Sequence, residues 1–407
     1  MRIFFSVGEP SGDLHGANLI RALRAQHPDW EFVGYGGPKM AEAGCYLHAD
    51  LTQLAVMWVA QVLINYGKFL GLLAAADQYF RDHRPDAVVL IDYPGFNWHI
   101  ARKAKAHGIP VIYYGTPQLW AWASWRVRKM RRYVDHVLCK LPFEEAWFRQ
   151  RGCRATFVGH PYFDELEAQQ PDQALIQSLA DGEIPLVTIL PGSRTQEVTS
   201  NLPEFLKAAR LIRQRVPRVR FAVAAFKEKQ RALAQQIIDE SRVDVELYVG
   251  RTTELVRAAR CCLACSGSVS LELLFHTKPT AILYQISRFG YLVQRIFRKV
   301  RYITLVNLLT VQDPFADRRA GHYSRLEERD SHVLMPEYLT CGDRTAELAD
   351  HIVEWLSSDI EFERNIKGLS ALRDRIGQGG ASLRAAEYIS NLFGNSAQDP
   401  KEMNSAA

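Results

Sequence analysis

Four loops in this chain put polar residues directly after an apolar, strand-like run, which is where α/β proteins keep their ligands. The run Ala87 to Ile91 delivers Asp92 just ahead of Pro94-Gly95. A carboxylate at the carboxyl end of a central strand is placed to act as a general base, and the plainer alternative is that it caps the next helix. The run Leu186 to Leu190 closes at Pro191-Gly192 and is followed by Ser193 and Arg194. Gly192 would let backbone amides approach an anion, Ser193 offers a donor and Arg194 a two-pronged cation, which together suit a phosphate. An ordinary turn with a surface arginine explains the same residues. After the strand-like run at 260–265, Ser266, Gly267 and Ser268 could set amides against a diphosphate, and Glu272, one turn into the next helix, could reach ribose hydroxyls. The fourth loop, Gly8-Glu9-Pro10-Ser11-Gly12-Asp13, follows Ile3 to Val7. It is not G-x-G-x-x-G, and the plainer alternative to a ligand loop is that Ser11 or Asp13 caps the helix that follows.

The elements that must hold these loops alternate in type. Strand signals at 3–7, 31–35, 87–91, 111–114 and 157–160 in the first half, and near 186–190, 219–225, 244–249, 260–265 and 280–284 in the second, are separated by helical patterns. One of these helices is expected over Pro203 to Val216, with proline in its first turn. Two doubly wound parallel sheets account for this alternation. The expected organisation is an N-terminal domain over 1–165, a linker over 166–184, a C-terminal domain over 185–390 whose last helix is a candidate to pack back on the first, and a disordered tail over 395–407.

A chain of 407 residues, 47% hydrophobic, is long enough for two cores. Fifty basic against 45 acidic residues give a net charge of only +5, which argues against general nucleic-acid binding. Seven cysteines scattered through apolar runs read as reduced core residues, including the Cys262-x-x-Cys265 pair, which has no second pair beside it. The apolar run at the N-terminus is too short for a signal peptide, and no stretch reaches the roughly 20 apolar residues of a bilayer span.

Two segments are nonetheless greasy. The run from Leu54 to Phe80 is apolar nearly all round, with Val56, Met57, Trp58, Leu63 and Phe69 among its members. Such a helix is either buried on every side or in contact with something like acyl chains. Arg288 to Arg301 holds five basic residues and no acid, with Phe289, Leu292, Val293, Ile296 and Val300 on one arc and Arg288, Arg295 and Lys299 at its margin. That pattern fits an anionic membrane surface or a packing helix with solvated arginines. Clustered tryptophans at 120, 122 and 125 beside Arg126, Arg128, Lys129, Arg131 and Arg132 fit a sugar or membrane interface, or a loop that plugs one end of a domain.

Taken in order, Gly8-Glu-Pro-Ser-Gly-Asp13, Ile91-Asp-Tyr-Pro-Gly-Phe-Asn97, Trp120-Ala-Trp122, Leu141-Pro-Phe-Glu144, Phe157-Val-Gly-His160, Leu190-Pro-Gly-Ser-Arg194, Ser266-Gly267 with Glu272, and Leu305-Val-Asn-Leu-Leu309 resemble the lipid-A-disaccharide synthase family, glycosyltransferase family 19, over about residues 2 to 390. The resemblance implies a GT-B glycosyltransferase with two Rossmann-like domains facing a central cleft. It implies condensation of UDP-2,3-diacylglucosamine with 2,3-diacylglucosamine 1-phosphate (lipid X) into a β(1→6) disaccharide 1-phosphate, with inversion and release of UDP. Carried over by position, Asp92 is the base, Gly192, Ser193, Arg194, Ser266, Gly267, Ser268, Glu272 and Asn307 hold the donor, and Glu9, Ser11, Gly12 and Asn97 line the acceptor side. With both substrates acylated, Val56, Met57, Trp58, Leu63, Phe69, Arg288, Arg295, Arg298 and Lys299 become expected acyl or membrane contacts. No metal and no cofactor are implied, and the expected location is cytoplasmic, peripheral on the inner face of the cytoplasmic membrane.

The chain departs from the family pattern in several places. Gly95 stands where the family commonly has Asp, Pro10 where it has Ala, Thr116-Pro117-Gln118 where it has Ser-Pro-Ser, and Thr340 where it has an amide. Residues Asp313 to Leu334 lengthen the link between the Asn-Leu-Leu motif and Met335-Pro-Glu-Tyr-Leu-Thr340. Two other readings remain, a UDP-N-acetylglucosamine 2-epimerase on a similar fold and a non-catalytic lipid-binding homologue.

Overall fold

The computed structural model describes residues 1–55, 66–316, 323–325 and 327–394, and these fall into two compact units, Met1–Glu165 with the segment from Gly379 onward, and Leu166–Gln378. The tail at 395–407 lies outside the described residues. In the first unit, β1 (Arg2–Val7), β2 (Glu31–Gly36), β3 (Tyr46–Asp50), β4 (Ala87–Ile91), β5 (Val111–Tyr114), β6 (His136–Cys139) and β7 (Ala155–Phe157) form a sheet in the order β3-β2-β1-β4-β5-β6-β7. Every pairing is parallel. Strands buried on both faces read as continuous apolar runs, and β4 is the clearest, with all five residues buried.

The second unit repeats the plan with β8 (Leu186–Leu190), β9 (Arg220–Ala225), β10 (Glu246–Val249), β11 (Cys261–Cys265), β12 (Thr280–Gln285) and β13 (Glu337–Thr340), ordered β10-β9-β8-β11-β12-β13 and again all parallel. In each sheet the strand order reverses once, between β1 and β4 and between β8 and β11. A doubly wound sheet opens a crevice for ligands at that reversal. The four loops singled out in the sequence leave the carboxyl ends of these four strands.

The C-terminal helix Ala381–Gly394 belongs to the first unit. Ala385, Ala386 and Ile389 are buried in the same core as Ile3, Phe5 and Val7, and Asp164 accepts from the amides of Ala381 (3.0 Å) and Ser382 (2.9 Å) at the helix start. Residues expected as linker hold a helix, Gln173–Ala180, capped by the Asp172 side chain and packed on the helix Thr252–Ala258 of the second unit.

Pro203 does not open a helix. It lies inside Thr195–Arg215, where Val198, Leu202, Phe205, Leu206, Ala208, Ala209 and Ile212 are buried along one face. That continuous apolar stripe carries the helix through a position that cannot donate a backbone hydrogen bond. Cys262 and Cys265 sit three apart in β11 and so point to opposite faces of the sheet. Burial pushes both thiols up to about 12, as expected of packing residues.

Candidate active site

Asp92 is held by its main chain. It and Tyr93 occupy the left-handed region (φ 46° and 43°), a conformation costing roughly 1–2 kcal/mol per residue. Hydrogen bonds offset that cost: the Asp92 carbonyl accepts from the Asn97 amide (2.8 Å) and from the Tyr113 hydroxyl (2.6 Å). Asn97 also donates to the carbonyls of Ser6 and Ile91, both at 3.2 Å, and accepts from the Ser6 hydroxyl at 2.7 Å. Expected on the acceptor side, Asn97 is instead fully buried and committed to pinning the ends of β1 and β4.

The Asp92 carboxylate is 17% exposed. A Cβ added to Gly12 would lie 3.7 Å from its Oδ2, which puts the first turn of the helix Pro10–Gln26 against the carboxylate. Glu9 and Ser11 are exposed beside it, and Gly12 is buried. Asp13 does not cap this helix. It accepts from the amides of Gly37 (2.9 Å), Lys39 (3.1 Å) and Met40 (3.1 Å) and so caps the next one, Pro38–Glu42.

At the other reversal, Gly192 serves a purpose different from the one expected. Its φ is +120°, and an added Cβ would come within 2.5 Å of the Glu197 Cβ. Glu197 Oε2 accepts from the amides of Ser193 (3.0 Å) and Arg194 (3.1 Å), and Oε1 from the Arg194 guanidinium (3.1 Å). The loop amides expected to meet a ligand are thus satisfied by a carboxylate, and Gly192 makes room for it. The Arg194 side chain itself is 80% exposed.

The third loop is open. Gly267 and Ser268 are exposed, and nothing lies within 4 Å of a Cβ added to Gly267. Ser266 is half-buried, its hydroxyl 3.4 Å from the Ile303 carbonyl. Glu272 is buried and accepts from the Thr253 hydroxyl at 2.7 Å, with Gln169 Oε1 3.0 Å from the same oxygen. Gly267→Ala is expected to leave the melting temperature unchanged and, by setting a methyl where a phosphorylated donor would approach the loop amides, to raise its KM about tenfold, as holding one charged hydrogen bond off its partner would. Thermal melts and initial rates check this pair of outcomes.

Asn307 does not join the loop residues around Arg194. It is fully buried, donating to the Met335 carbonyl (2.7 Å) and to Glu337 Oε2 (2.9 Å), and accepting from the Met335 amide (3.2 Å).

The two greasy segments divide. Val56, Met57, Trp58 and Leu63 lie outside the described residues. Phe69 is only 8% exposed and packs on Phe96, ring centroids 5.9 Å apart, so it belongs to the core. In the other segment the helix Arg288–Phe297 buries nothing: Phe289 (76%), Leu292, Val293, Ile296 and Phe297 are exposed, as are Arg288 and Arg295. The arc stops there. Arg298 and Lys299 are half-buried, Val300 is buried, and Arg301 is buried against Asp330 at 2.6 Å, which ties part of the lengthened link to the second unit. No described helix is long and apolar enough to cross a membrane, and no described cluster of His, Cys, Asp or Glu could hold a metal ion.

Sequence reasoning missed Lys140, Thr253, Tyr113 and Glu197. Lys140 directly follows β6, whose four mixed residues give little periodic signal, and Thr253 lies past β10 in the first turn of the helix Thr252–Ala258. Tyr113 and Glu197 look like a core residue and a helical surface residue until the fold brings them round.

Two doubly wound parallel sheets, each with loops gathered at its reversal, define the GT-B class. The same fold occurs in UDP-GlcNAc 2-epimerase from Neisseria meningitidis, solved bound to UDP-GlcNAc (TM-score 0.61, 12% identity, covering 96% of this chain and 100% of that one). It occurs also in CalG4, the calicheamicin glycosyltransferase (0.55, 15%, 97% and 99%), and in MurG of Acinetobacter baumannii (0.54, 12%, 96% and 99%). The sequence is more specific than the fold. Residues 3–317 match the Lipid-A-disaccharide synthetase family. The chain is 34% identical to the lipid-A-disaccharide synthase of Myxococcus xanthus over 394 residues, 96% of this chain and 97% of that protein. With that of Geobacter sulfurreducens it shares 31% over 394 residues, 97% of each. The chain belongs to the lipid-A-disaccharide synthase family and is a glycosyltransferase of lipid A biosynthesis.

Proposed function

We propose that the enzyme joins UDP-2,3-diacylglucosamine to 2,3-diacylglucosamine 1-phosphate (lipid X) through a β(1→6) link, releasing UDP with inversion. Asp92 takes the proton of the acceptor 6-hydroxyl as that oxygen bonds to the anomeric carbon. The bond from that carbon to UDP breaks, and its electron pair leaves on the diphosphate. Ser193, Arg194, Ser266, Gly267, Ser268 and Glu272 are assigned to the donor, and Glu9, Ser11 and Gly12 to the acceptor. The reading calls for no metal or cofactor, because Arg194 is the cation assigned to the departing diphosphate. The observation that carries it is Asp92, a carboxylate at the reversal of a doubly wound sheet, pinned through its carbonyl and set against Gly12.

Incubating the protein with both acylated sugars should give disaccharide and UDP in equal amounts, with a β linkage by NMR. An α linkage, or epimerisation of UDP-N-acetylglucosamine in place of disaccharide formation, would overturn the reading.

The same proposal places the enzyme at the inner face of the cytoplasmic membrane. Its support is the helix Arg288–Phe297, with five exposed apolar side chains and exposed arginines. Each such cation contributes about 1 kcal/mol near an anionic surface. The double substitution R288E/R295E is expected to release the protein from phosphatidylglycerol vesicles in a sedimentation assay, while sedimentation with neutral vesicles stays unchanged. Arg298 is left out because burial lowers its basicity. Undiminished sedimentation would count against this helix as the docking surface.

A further inference from the structure

Beside Asp92 lies a charged residue that neither the transfer step nor the family motifs account for. Lys140 follows β6, two strands away from β4 in the sheet. Its side chain crosses above the end of the intervening β5 and brings Nζ to 3.4 Å from Asp92 Oδ1, with only 14% of the side chain exposed. It passes beside Gly115, whose left-handed φ of +72° suits glycine and where an added Cβ would stand at ordinary contact, 3.6 Å from Asp92 Oδ1 and 3.9 Å from Lys140 Cδ. The backbone at this corner is fixed as well. Glu144 is buried and accepts from the amides of Lys140 (2.9 Å) and Leu141 (3.0 Å), from the Trp120 indole (2.8 Å) and from the Thr116 hydroxyl (3.1 Å). The Leu141-Pro-Phe-Glu144 motif is therefore a clamp that presents Lys140.

The charges around Lys140 keep it an ammonium. Burial opposes its charge, yet the carboxylates of Asp92, Glu144 and Glu9 outweigh burial and hold it above the ordinary range. On the other side His160 is driven well below its usual range by burial first, then by Lys140 and His15, and so adds no competing cation. A carboxylate rotates broadly about its last torsion. An ammonium fixed on Oδ1 selects one orientation and turns Oδ2 toward Gly12.

We propose that Lys140 is a positioning residue for the transfer, holding Asp92 by Oδ1 so that Oδ2 meets the acceptor hydroxyl; this rests on Asp92 being the base. The test is a double-mutant cycle with UDP-titrated sites. K140M should lower kcat about 10- to 100-fold, as misplacing a reacting group does, with both KM values within about twofold. In a D92N background the same change should alter kcat less than about twofold, because the group it positions is already gone. Converting K140C to the sulfur analogue of lysine with bromoethylamine should restore turnover, with wild type treated in parallel to control for the exposed Cys341. An equal loss from K140M in both backgrounds, or no loss in the first, overturns the proposal while leaving Asp92 as base. Wild-type turnover in D92N alone removes the base, and the proposal with it.

Discussion

Asp92→Asn is expected to lower turnover by about two or more orders of magnitude, the usual loss with a general base, while UDP affinity stays within about twofold of wild type. The substitution is nearly isosteric, and asparagine accepts the left-handed backbone at least as readily as aspartate. The restraints on the loop act through the Asp92 carbonyl, which the exchange leaves untouched, so Asn97 and Tyr113 keep their hydrogen bonds. The new amide can still accept from Lys140 through its oxygen. What disappears is the capacity to take a proton. UDP calorimetry, a thermal melt and steady-state rates distinguish the outcomes: wild-type turnover rejects Asp92 as the base, and a collapsed melt would trace the loss to folding.

The placement of chemistry at strand ends could be read directly from the sequence, because a parallel strand buried on both faces is a solid apolar run that gives way to a polar loop where it leaves the sheet. Ala87–Ile91 and Leu186–Leu190 are of this kind, and the residues after them do lie at the reversals of the two sheets. β6 was harder to see: four residues containing a histidine and a cysteine carry little periodic signal, and with β6 went Lys140. The roles of individual polar residues were less legible still. Nothing in Gly192-Ser-Arg-Thr-Gln-Glu197 says that the glutamate folds back onto the loop amides, since the capping position is an arginine and not a hydroxyl residue. An amide inside a motif gives no sign of which way it faces, and both Asn97 and Asn307 face inward. In the same way Phe69 and Leu70 are equally apolar, but only the fold shows that Phe69 is buried on Phe96 and Leu70 is 49% exposed.

Asn307 gives the other large expected effect, and its sign separates two accounts of the Leu305-Val-Asn-Leu-Leu309 motif. If Asn307 held the donor, N307A would leave folding intact and raise the donor KM. The structure directs both amide hydrogens and the side-chain carbonyl at the buried segment around Met335 and Glu337. Glu337 in turn accepts from the amides of Ile303 (2.6 Å) and Thr304 (3.0 Å) and from the Thr304 hydroxyl (2.6 Å), stitching this stretch to β13. Truncation would leave the Met335 amide and carbonyl without their side-chain partner, and each buried group so stranded costs about 1–3 kcal/mol. The total loss is therefore roughly 2–6 kcal/mol. In a unit of this size each kcal/mol moves the midpoint by about 2–4 °C, so the melt should fall by roughly 4–24 °C. Donor KM per folded molecule should stay within about twofold. A melt that does not move, together with a tenfold weaker donor, would return Asn307 to the nucleotide and would require its side chain to turn away from Met335 when the donor binds.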